Sequence, residues 1–218
     1  MAADELPMHS KRKELGEVSR QHILDVASRL MAERGYDGTS MSLLCREVGL
    51  PASSIYWHFG SKEGLLAAVM ERGARHFFDA FTEPDWFEGT PSERLHQVFM
   101  QTGLSLIEDP QHAQFLQLQL RFRLNRELHR GKSFHELAES VRAEGIAFMG
   151  SWIRKAYAPT YGEKTAQRLA DELAEYGVAL IDGVYLAAQA GAQTPTRRML
   201  DHAATSLVAV ANESLGNP

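Results

Sequence analysis

Hydrogen-bonding and aromatic side chains are concentrated in the short segment 52–59, which reads Ala-Ser-Ser-Ile-Tyr-Trp-His-Phe. Ser53, Tyr56 and His58 can donate hydrogen bonds to anionic oxygens, and Trp57 offers a flat apolar surface. So many side chains of this kind on a very short helix indicate that its outer face contacts another molecule. A polar, aromatic helix after a tight turn is typical of the second helix of a helix-turn-helix, which enters the major groove of DNA.

Turn-forming residues bound this segment on both sides. Gly49 and Pro51 mark its start, and Gly60 marks its end. Ser61 is a favourable N-cap for the helix that follows. A small helical subdomain without a ligand is the alternative interpretation, but such a subdomain would not need an exposed Ser-Ser-x-Tyr-Trp-His face.

Two further helices are predicted upstream, and together the three form one small domain. Residues 19–34 have apolar side chains at the spacing of a one-sided amphipathic helix, and the turn Gly35–Gly38 ends it. Ser40 can cap a second helix that runs to about Val48. The predicted core of the domain consists of Ile23, Ala27, Leu30, Leu44, Val48, Ile55 and Phe59.

Five short sequence blocks in this region occur in the order and spacing of a known family. They are Gly35-Tyr36, Thr39-Ser40, Leu44 to Leu50, Ser54 to Phe59 and Ser61 to Leu66. On these blocks, residues 19–66 resemble the N-terminal domain of the TetR family of bacterial transcriptional regulators. Cys45 stands where the family usually has alanine, but it is also small and apolar, so the packing is unaffected.

The resemblance implies an all-α fold with a three-helix DNA-binding domain and a C-terminal helical domain for ligand binding and dimerisation. We accordingly predict a flexible basic arm at 1–18, a helix-turn-helix domain at 19–65 and an effector-binding and dimerisation domain at 66–218. The DNA contacts carried over from the family's positions are Ser40, Ser42, Ala52, Ser53, Ser54, Tyr56, Trp57, His58 and Lys62.

Composition agrees with a globular protein of two parts. The chain has 218 residues, of which 44% are hydrophobic, so it can bury a core in each part. No apolar run reaches the roughly 20 residues that a membrane-spanning helix needs, and no N-terminal segment resembles a secretory signal. One cysteine cannot form an internal disulfide. These features predict a cytoplasmic location.

The net charge of −5 is unexpected for a DNA-binding protein. Residues 10–62 hold eight Lys and Arg against six Asp and Glu, whereas residues 63–218 hold 15 against 20. The acidic excess therefore lies mostly outside the predicted DNA-binding region. The basic residues Lys11, Arg12, Lys13 and Arg20 could reach phosphates, or the first three could form only a solvated arm. A net-acidic chain should bind DNA weakly without specific contacts.

The chain after residue 62 has the apolar periodicity of helices and no sustained alternation that would predict strands. Loops are predicted at 82–91, which contains two prolines and a glycine, and around Pro159 and Gly162. The predicted helices are 62–81, 92–109, 111–128, 133–157, 163–190 and one that starts at Pro195.

The last two predicted helices are more apolar than the surface of a monomer requires. Asp182 is the only formal charge between Gly177 and Ala192. Two copies of this helix pair would form a four-helix bundle about a two-fold axis, although burial of both faces within one subunit is the alternative. A dimer would hold two reading helices about one turn of DNA apart, or a multiple, so an inverted-repeat operator is predicted. The predicted interface residues are Gly183, Ala187, Gly191, Ala203, Ala204, Leu207 and Ala211.

The resemblance also implies that a small molecule binds between the long helices and releases the DNA. Asp182 is the most informative polar residue, because a lone carboxylate in an apolar helix needs a partner. The partner could be Arg121, Arg123 or a cationic ligand. The predicted lining residues are Trp86, Phe99, His112, Phe115, Gln119, Phe122, Trp152, Asp182 and Tyr185. Their aromatic content predicts a lipophilic effector, although each aromatic alone is more often a core residue.

Catalytic and metal-binding patterns are missing from the sequence. Nine histidines occur without a His-Glu-x-x-His pair, and there is no Cys-x-x-Cys motif. A phosphate-binding glycine loop and a Gly-x-Ser-x-Gly elbow are also missing. We therefore predict no enzyme activity, no cofactor and no metal site. The predicted function is a repressor that binds double-stranded DNA as a homodimer; the alternatives are an activator, or a DNA-bound adaptor whose C-terminal domain binds a protein.

Overall fold

The structure is a computed structural model that describes residues 6–79, 88–124 and 132–216. In these ranges the fold is all-α, as predicted, without a β-strand, and none of the described helices is long and apolar enough to span a bilayer. The helices are α1 (Leu6–Gly38), α2 (Met41–Val48), α3 (Ala52–Phe59), α4 (Lys62–Asp79), α5 (Pro91–Glu108), α6 (Pro110–Leu124), α7 (Lys132–Tyr161), α8 (Glu163–Gln189) and α9 (Thr196–Gly216).

The first helix is longer than predicted. We expected a flexible arm at 1–18 and a helix from Ser19, whereas α1 begins at Leu6. Residues 11–15, Lys-Arg-Lys-Glu-Leu, are all good helix formers, and this propensity accounts for the extension. Gly35 interrupts α1 with φ 76° and ψ 169°, so the regular helix ends where the glycine predicted it would.

α7 continues through Pro159, where we predicted a loop. The helix ends at Tyr161, and Gly162, with φ 80°, makes the break before α8. A proline in a helix removes one backbone hydrogen bond and disturbs the preceding turn. Ala156 and Tyr157, just before it, are completely buried, and their packing holds that turn in place.

α5 begins with a complete capping box. The Thr90 side chain accepts a hydrogen bond from the backbone of Glu93, and the Glu93 carboxylate accepts one from the Thr90 backbone. Pro91 occupies the first helical position, where its missing N–H costs nothing. Most of the predicted loop at 82–91 lies outside the described residues.

The chain divides into two compact units. The first comprises residues 1–76 and 114–137, and the second comprises 77–113 and 138–218. The first unit therefore includes the predicted helix-turn-helix range together with most of α4 and much of α6.

The core of the first unit contains the residues predicted for the three-helix domain. α1 packs against α2, and α2 packs against α3. Burial of each Leu or Ile side chain contributes about 1.5–3 kcal/mol. Phe59 is only half-buried, because it lies at the end of α3. The other predicted core residues are all buried, namely Ile23, Ala27, Leu30, Leu44, Val48 and Ile55.

In the second unit, α9 packs against both α5 and α8. Gly103 on α5 permits this approach, because a Cβ there would lie 2.6 Å from a methyl carbon of Leu200. Polar contacts also join α9 to α5, including a 3.1 Å contact between His96 and Asp201. α9 is therefore an internal packing element of one chain.

Candidate nucleic-acid interface

Ser40 and Gly49 fix the two ends of α2. The Ser40 hydroxyl accepts a hydrogen bond from the Leu43 backbone N–H at 3.1 Å, and this caps the helix. Gly49 adopts the left-handed conformation, with φ 75°, and donates its N–H to the carbonyl of Cys45. A side chain at Gly49 would strain this conformation, so the glycine allows the sharp turn that leads into α3.

α3 presents a polar and aromatic face to solvent. Ile55 is buried, whereas Trp57 is 77% exposed and Tyr56 is 44% exposed. Ser53 is also exposed, while Ala52, Ser54 and His58 are half-buried. An exposed indole on a two-turn helix is informative, because large aromatic side chains are normally well covered. The face is therefore suited to contact with another molecule.

Arg20 of α1 lies beside the C-terminal end of α3. Its guanidinium carbon is 5.6 Å from the centre of the Phe59 ring, and it forms an ion pair with Glu17 at 3.8 Å. Burial, and then the positive charge of Arg20, lower the pKa of His58, while Glu17 opposes the shift. His58 is therefore a neutral hydrogen-bonding group at neutral pH in the DNA-free chain.

The junction between α3 and α4 depends on two small residues. The Ser61 hydroxyl accepts a hydrogen bond from the Gly64 N–H at 3.0 Å, as predicted for an N-cap. A Cβ at Gly64 would overlap the carbonyl oxygen of Phe59. Glycine is thus required for the close approach of α4 to the end of α3, and this contact fixes the direction of α4.

The three remaining predicted phosphate contacts lie at helix starts. Ser40 and Ser42 are exposed at the beginning of α2. Lys62 is the first residue of α4 and is half-buried. Burial lowers the pKa of Lys62, and the carboxylates of Asp37 and Glu63 oppose this shift.

Two of the predicted effector residues belong to the first unit. Phe115 and Gln119 of α6 are both buried. The Phe115 ring lies against Gly73 of α4, where it occupies the space of a side chain. Trp86 and the side chain of Phe122 lie outside the described residues.

A series of aromatic rings in the second unit links two other predicted residues. The Trp152 ring lies 6.2 Å from Phe148, which stacks on Phe78 at 5.0 Å. Phe78 contacts Phe77 at 5.1 Å, and Phe77 contacts the buried ring of His112 at 6.0 Å. We did not predict Phe77 or Phe78 as site residues, because their helical spacing was typical of plain core.

Phe99 and Tyr185, two further predicted effector residues, lie in the second unit. Phe99 is completely buried, and Tyr185 is 2% exposed. The Tyr185 hydroxyl donates a hydrogen bond to the carbonyl of Ala113 at 3.2 Å.

Asp182 forms an ion pair with Arg142, a partner that we did not predict. The Arg142 guanidinium lies 3.3 Å from Asp182 and 3.2 Å from Glu175. Both Arg142 and Asp182 are largely covered, with side-chain exposures of 14% and 18%. Arg121 instead donates a hydrogen bond to the carbonyl of Glu33 in α1, and the side chain of Arg123 lies outside the described residues.

The four interface residues predicted on α9 are buried within one chain, where α9 packs against α5 and α8, and this leaves them little surface for a second chain. Small side chains allow any close helix contact, so their presence did not show which helix they face. These residues are Ala203, Ala204, Leu207 and Ala211.

α8 nevertheless has an uncovered apolar stripe, to which Gly183 belongs. Tyr176, Ala179, Gly183 and Leu186 are exposed and recur every three or four residues, so they share one face. Ala187 beside them is half-buried, and the exposed Gly191 lies in the turn after the helix with φ 78°. We missed Tyr176 and Leu186 because we looked only for small residues.

Comparison with known proteins agrees with this fold. Residues 23–69 match the family model for bacterial regulatory proteins of the tetR family. Over 94 residues the chain is 32% identical to the HTH-type transcriptional regulator AcrR of Shigella flexneri. This alignment covers 43% of this chain and 44% of that protein. The chain spans about half the length of the curated relatives it matches.

Solved structures share the fold over most of the chain. A TetR transcriptional regulator from Chloroflexus aurantiacus superposes with a TM-score of 0.70 and 22% identity, covering 92% of this chain and 97% of that one. AibR, in complex with isovaleryl coenzyme A and operator DNA, has a TM-score of 0.61 and 18% identity, covering 87% and 98%. A helix-turn-helix domain followed by a larger helical region defines the class. Residues 23–69 of the chain thus match the DNA-binding domain of the TetR family of bacterial regulatory proteins, and the chain shares the fold of solved TetR regulators.

Proposed function

We propose that this chain is a transcriptional repressor that binds an inverted-repeat operator as a homodimer and is released by a small lipophilic effector. The observation that carries the proposal is the exposed face of α3, with Trp57 and Tyr56 directed away from a buried Ile55. The chain acts in the bacterial cytoplasm, at the nucleoid when bound to DNA. The sequence resemblance to AcrR supports the regulatory role.

The contacts with DNA divide by chemistry. Hydroxyls and free backbone N–H groups at the start of α2, near Ser40 and Ser42, suit phosphates, as does the ammonium of Lys62. Ala52 and Ser53 at the start of α3 face base edges, and an alanine methyl suits a thymine methyl. The set Ser54, Tyr56, Trp57 and His58 contacts the sugar–phosphate backbone and adjacent methyl groups. α3 contains no Arg, Asn or Gln, so bidentate reading of bases contributes little.

The homodimer forms through the apolar stripe of α8, which we define as Tyr176, Ala179, Gly183 and Leu186. These residues are exposed in the single chain and form a continuous helical face. A second copy is the occupant that suits the stripe, because a two-fold axis presents two copies of α3 to an inverted repeat. The α9 residues first predicted for this role are not part of the proposed interface.

The effector binds in the helical region beyond the reading domain. The series of rings from His112 to Trp152 supplies aromatic surface of the kind that lipophilic ligands contact. AibR, which shares the fold, was solved with an acyl coenzyme A and operator DNA, which supports a ligand-responsive regulator. The effector must favour one arrangement of the dimer over another, and a nearly complete switch needs about 5.5 kcal/mol of differential binding.

Selection of genomic DNA fragments by the purified chain tests the proposal. We expect the recovered fragments to share an inverted repeat whose half-sites are about 10 base pairs apart, or a multiple, between centres. The double variant Ser53→Ala/Tyr56→Ala should lose this enrichment. Arg154→Ala, which removes an exposed charge from α7, is the matched control and should retain it.

Two results would contradict the proposal. If no inverted repeat is recovered, the paired reading helices are wrong. If the α3 variant recovers the same fragments as the wild type, α3 is not the reading helix. A thermal-shift screen of lipophilic compounds then tests the sensor, because a true effector must also release the selected fragment.

A further inference from the structure

We propose that Tyr36 is a positioning residue that holds the Lys62 ammonium in place for a DNA phosphate. The inference rests on the DNA contact proposed for Lys62. The Nζ atom of Lys62 lies 4.0 Å from the centre of the Tyr36 ring. A cation over an aromatic face is attracted by the negative face of the ring, so the ring restrains the end of an otherwise flexible side chain.

The last residues of α1, after the break at Gly35, fix the position of Tyr36. Gly35, in the left-handed region with φ 76°, turns the chain immediately before it. Thr39 is completely buried; its hydroxyl donates to the Gly35 carbonyl at 2.8 Å, and its N–H donates to the Tyr36 carbonyl at 3.2 Å. Two hydrogen bonds from one buried residue therefore hold the backbone on which the ring is mounted.

The hydroxyl of the same ring engages the neighbour of Lys62. Tyr36 donates a hydrogen bond to a carboxylate oxygen of Glu63 at 2.8 Å. This bond is the main cause that lowers the pKa of Glu63, and burial together with the same bond raises the pKa of Tyr36. The hydroxyl thus stays protonated and the carboxylate stays charged at neutral pH. One ring therefore holds both residues that begin α4, the cation by its face and the anion by its hydroxyl.

This arrangement lowers the cost of binding a phosphate. A lysine side chain has four rotatable bonds, and their freedom must be lost when the ammonium contacts DNA. Contact with Tyr36 restricts that freedom before DNA arrives. A purely structural role for Tyr36 would instead change the stability of the domain and leave the phosphate contact unaffected.

A double-mutant cycle on Tyr36 and Lys62 tests the positioning role. The probe is the duplex recovered by the genomic selection, titrated at several salt concentrations. Lys62→Ala should reduce the slope of log affinity against log salt by about one, since one phosphate contact is lost. Tyr36→Leu should weaken binding about two- to thirtyfold, from the strength of such contacts. Tyr36→Phe, which keeps the ring, should retain the wild-type slope.

The combined variant decides how Tyr36 acts. If the ring acts through Lys62, Tyr36→Leu should have no further effect in the Lys62→Ala background. If the two substitutions have additive effects on affinity while Lys62→Ala still reduces the salt slope, the positioning role of Tyr36 is overturned and the phosphate contact of Lys62 stands. An unchanged slope in Lys62→Ala overturns the phosphate contact, and with it the basis in the proposed function.

A measurement without DNA makes the test independent of the operator. The ε-methylene protons of Lys62 should show an upfield ring-current shift in the NMR spectra of the wild type and Tyr36→Phe. The shift should be lost in Tyr36→Leu, and its absence from the wild type overturns the proposal. Tyr161→Leu, a matched change at an exposed tyrosine of α7, should leave both the shift and the DNA affinity unchanged.

Discussion

Replacement of Gly183 by alanine separates the stability of one chain from the contact between two chains. In the single chain, a Cβ at Gly183 would meet nothing within 4 Å. Alanine is favoured over glycine in a helix interior by about 0.5–1 kcal/mol. Gly183→Ala should therefore stabilise α8 by roughly this amount wherever no second chain covers it.

The same methyl group should weaken the proposed homodimer. Gly183 lies in the middle of the apolar stripe, so a partner helix would approach closely there. An extra methyl group in a tight contact costs about 1–3 kcal/mol. Because two-fold symmetry introduces two methyl groups, the dimer should lose about 2–6 kcal/mol, which raises its dissociation constant by at least about thirtyfold.

Sedimentation equilibrium over a dilution series measures this change directly. Gly145→Ala is the matched control, because Gly145 also lies within a helix, α7, and a Cβ there meets nothing within 4 Å. The control should gain stability and keep the wild-type dimer affinity. If Gly183→Ala dimerises as tightly as the wild type and gains as much stability as Gly145→Ala, the stripe is not the interface.

Three further predictions follow from contacts within single units. Gly64→Ala should lower the free energy of unfolding by about 2–3 kcal/mol, since the Cβ would overlap the Phe59 carbonyl oxygen; an unchanged denaturation midpoint would contradict the steric argument. The pKa of His58 is lowered in the free chain, so the stability of the free chain should fall as the pH drops below about 6.5. A DNA phosphate would raise the same pKa, so operator affinity should rise over the same pH range. His58→Gln should remove that rise in anisotropy titrations, and an identical pH profile would show that another group titrates. Arg142→Met removes the guanidinium that lies 3.3 Å from Asp182 and should cost about 1–3 kcal/mol in denaturant unfolding, whereas an unaltered curve would show that the ion pair contributes nothing net.

The helix-turn-helix domain was predictable because local chemistry determines it. Ser40 caps α2, Gly49 makes the turn and Ser61 caps α4, and each acts within four residues of its own position. The apolar periodicity of α1 and α2 then specifies which faces meet. Such short-range signals can be read from a single sequence without knowledge of the remaining chain.

The rest of the chain was less predictable because its contacts join distant residues. Asp182 pairs with Arg142, which lies 40 positions away, and nothing in the local pattern distinguishes that arginine from Arg121. In the same way, the small residues of α9 predict a close helix contact but not the identity of the partner helix. Periodicity identifies a buried face, whereas only the packed structure shows which element buries it.

The acidic net charge makes the aromatic contacts of Arg20 and Lys62 more important for DNA binding. A chain with a net charge of −5 gains little from general attraction to DNA, so its affinity depends on a few well-placed contacts. Arg20 and Lys62 both lie over aromatic rings, at 5.6 Å from Phe59 and 4.0 Å from Tyr36. Phe59 ends the reading helix, and Tyr36 lies in the last residues of α1, just before α2. Each ring therefore holds a cation near an element that is proposed to contact DNA. The DNA affinity then depends more on how well these few cations are ordered than on how many cations the chain has.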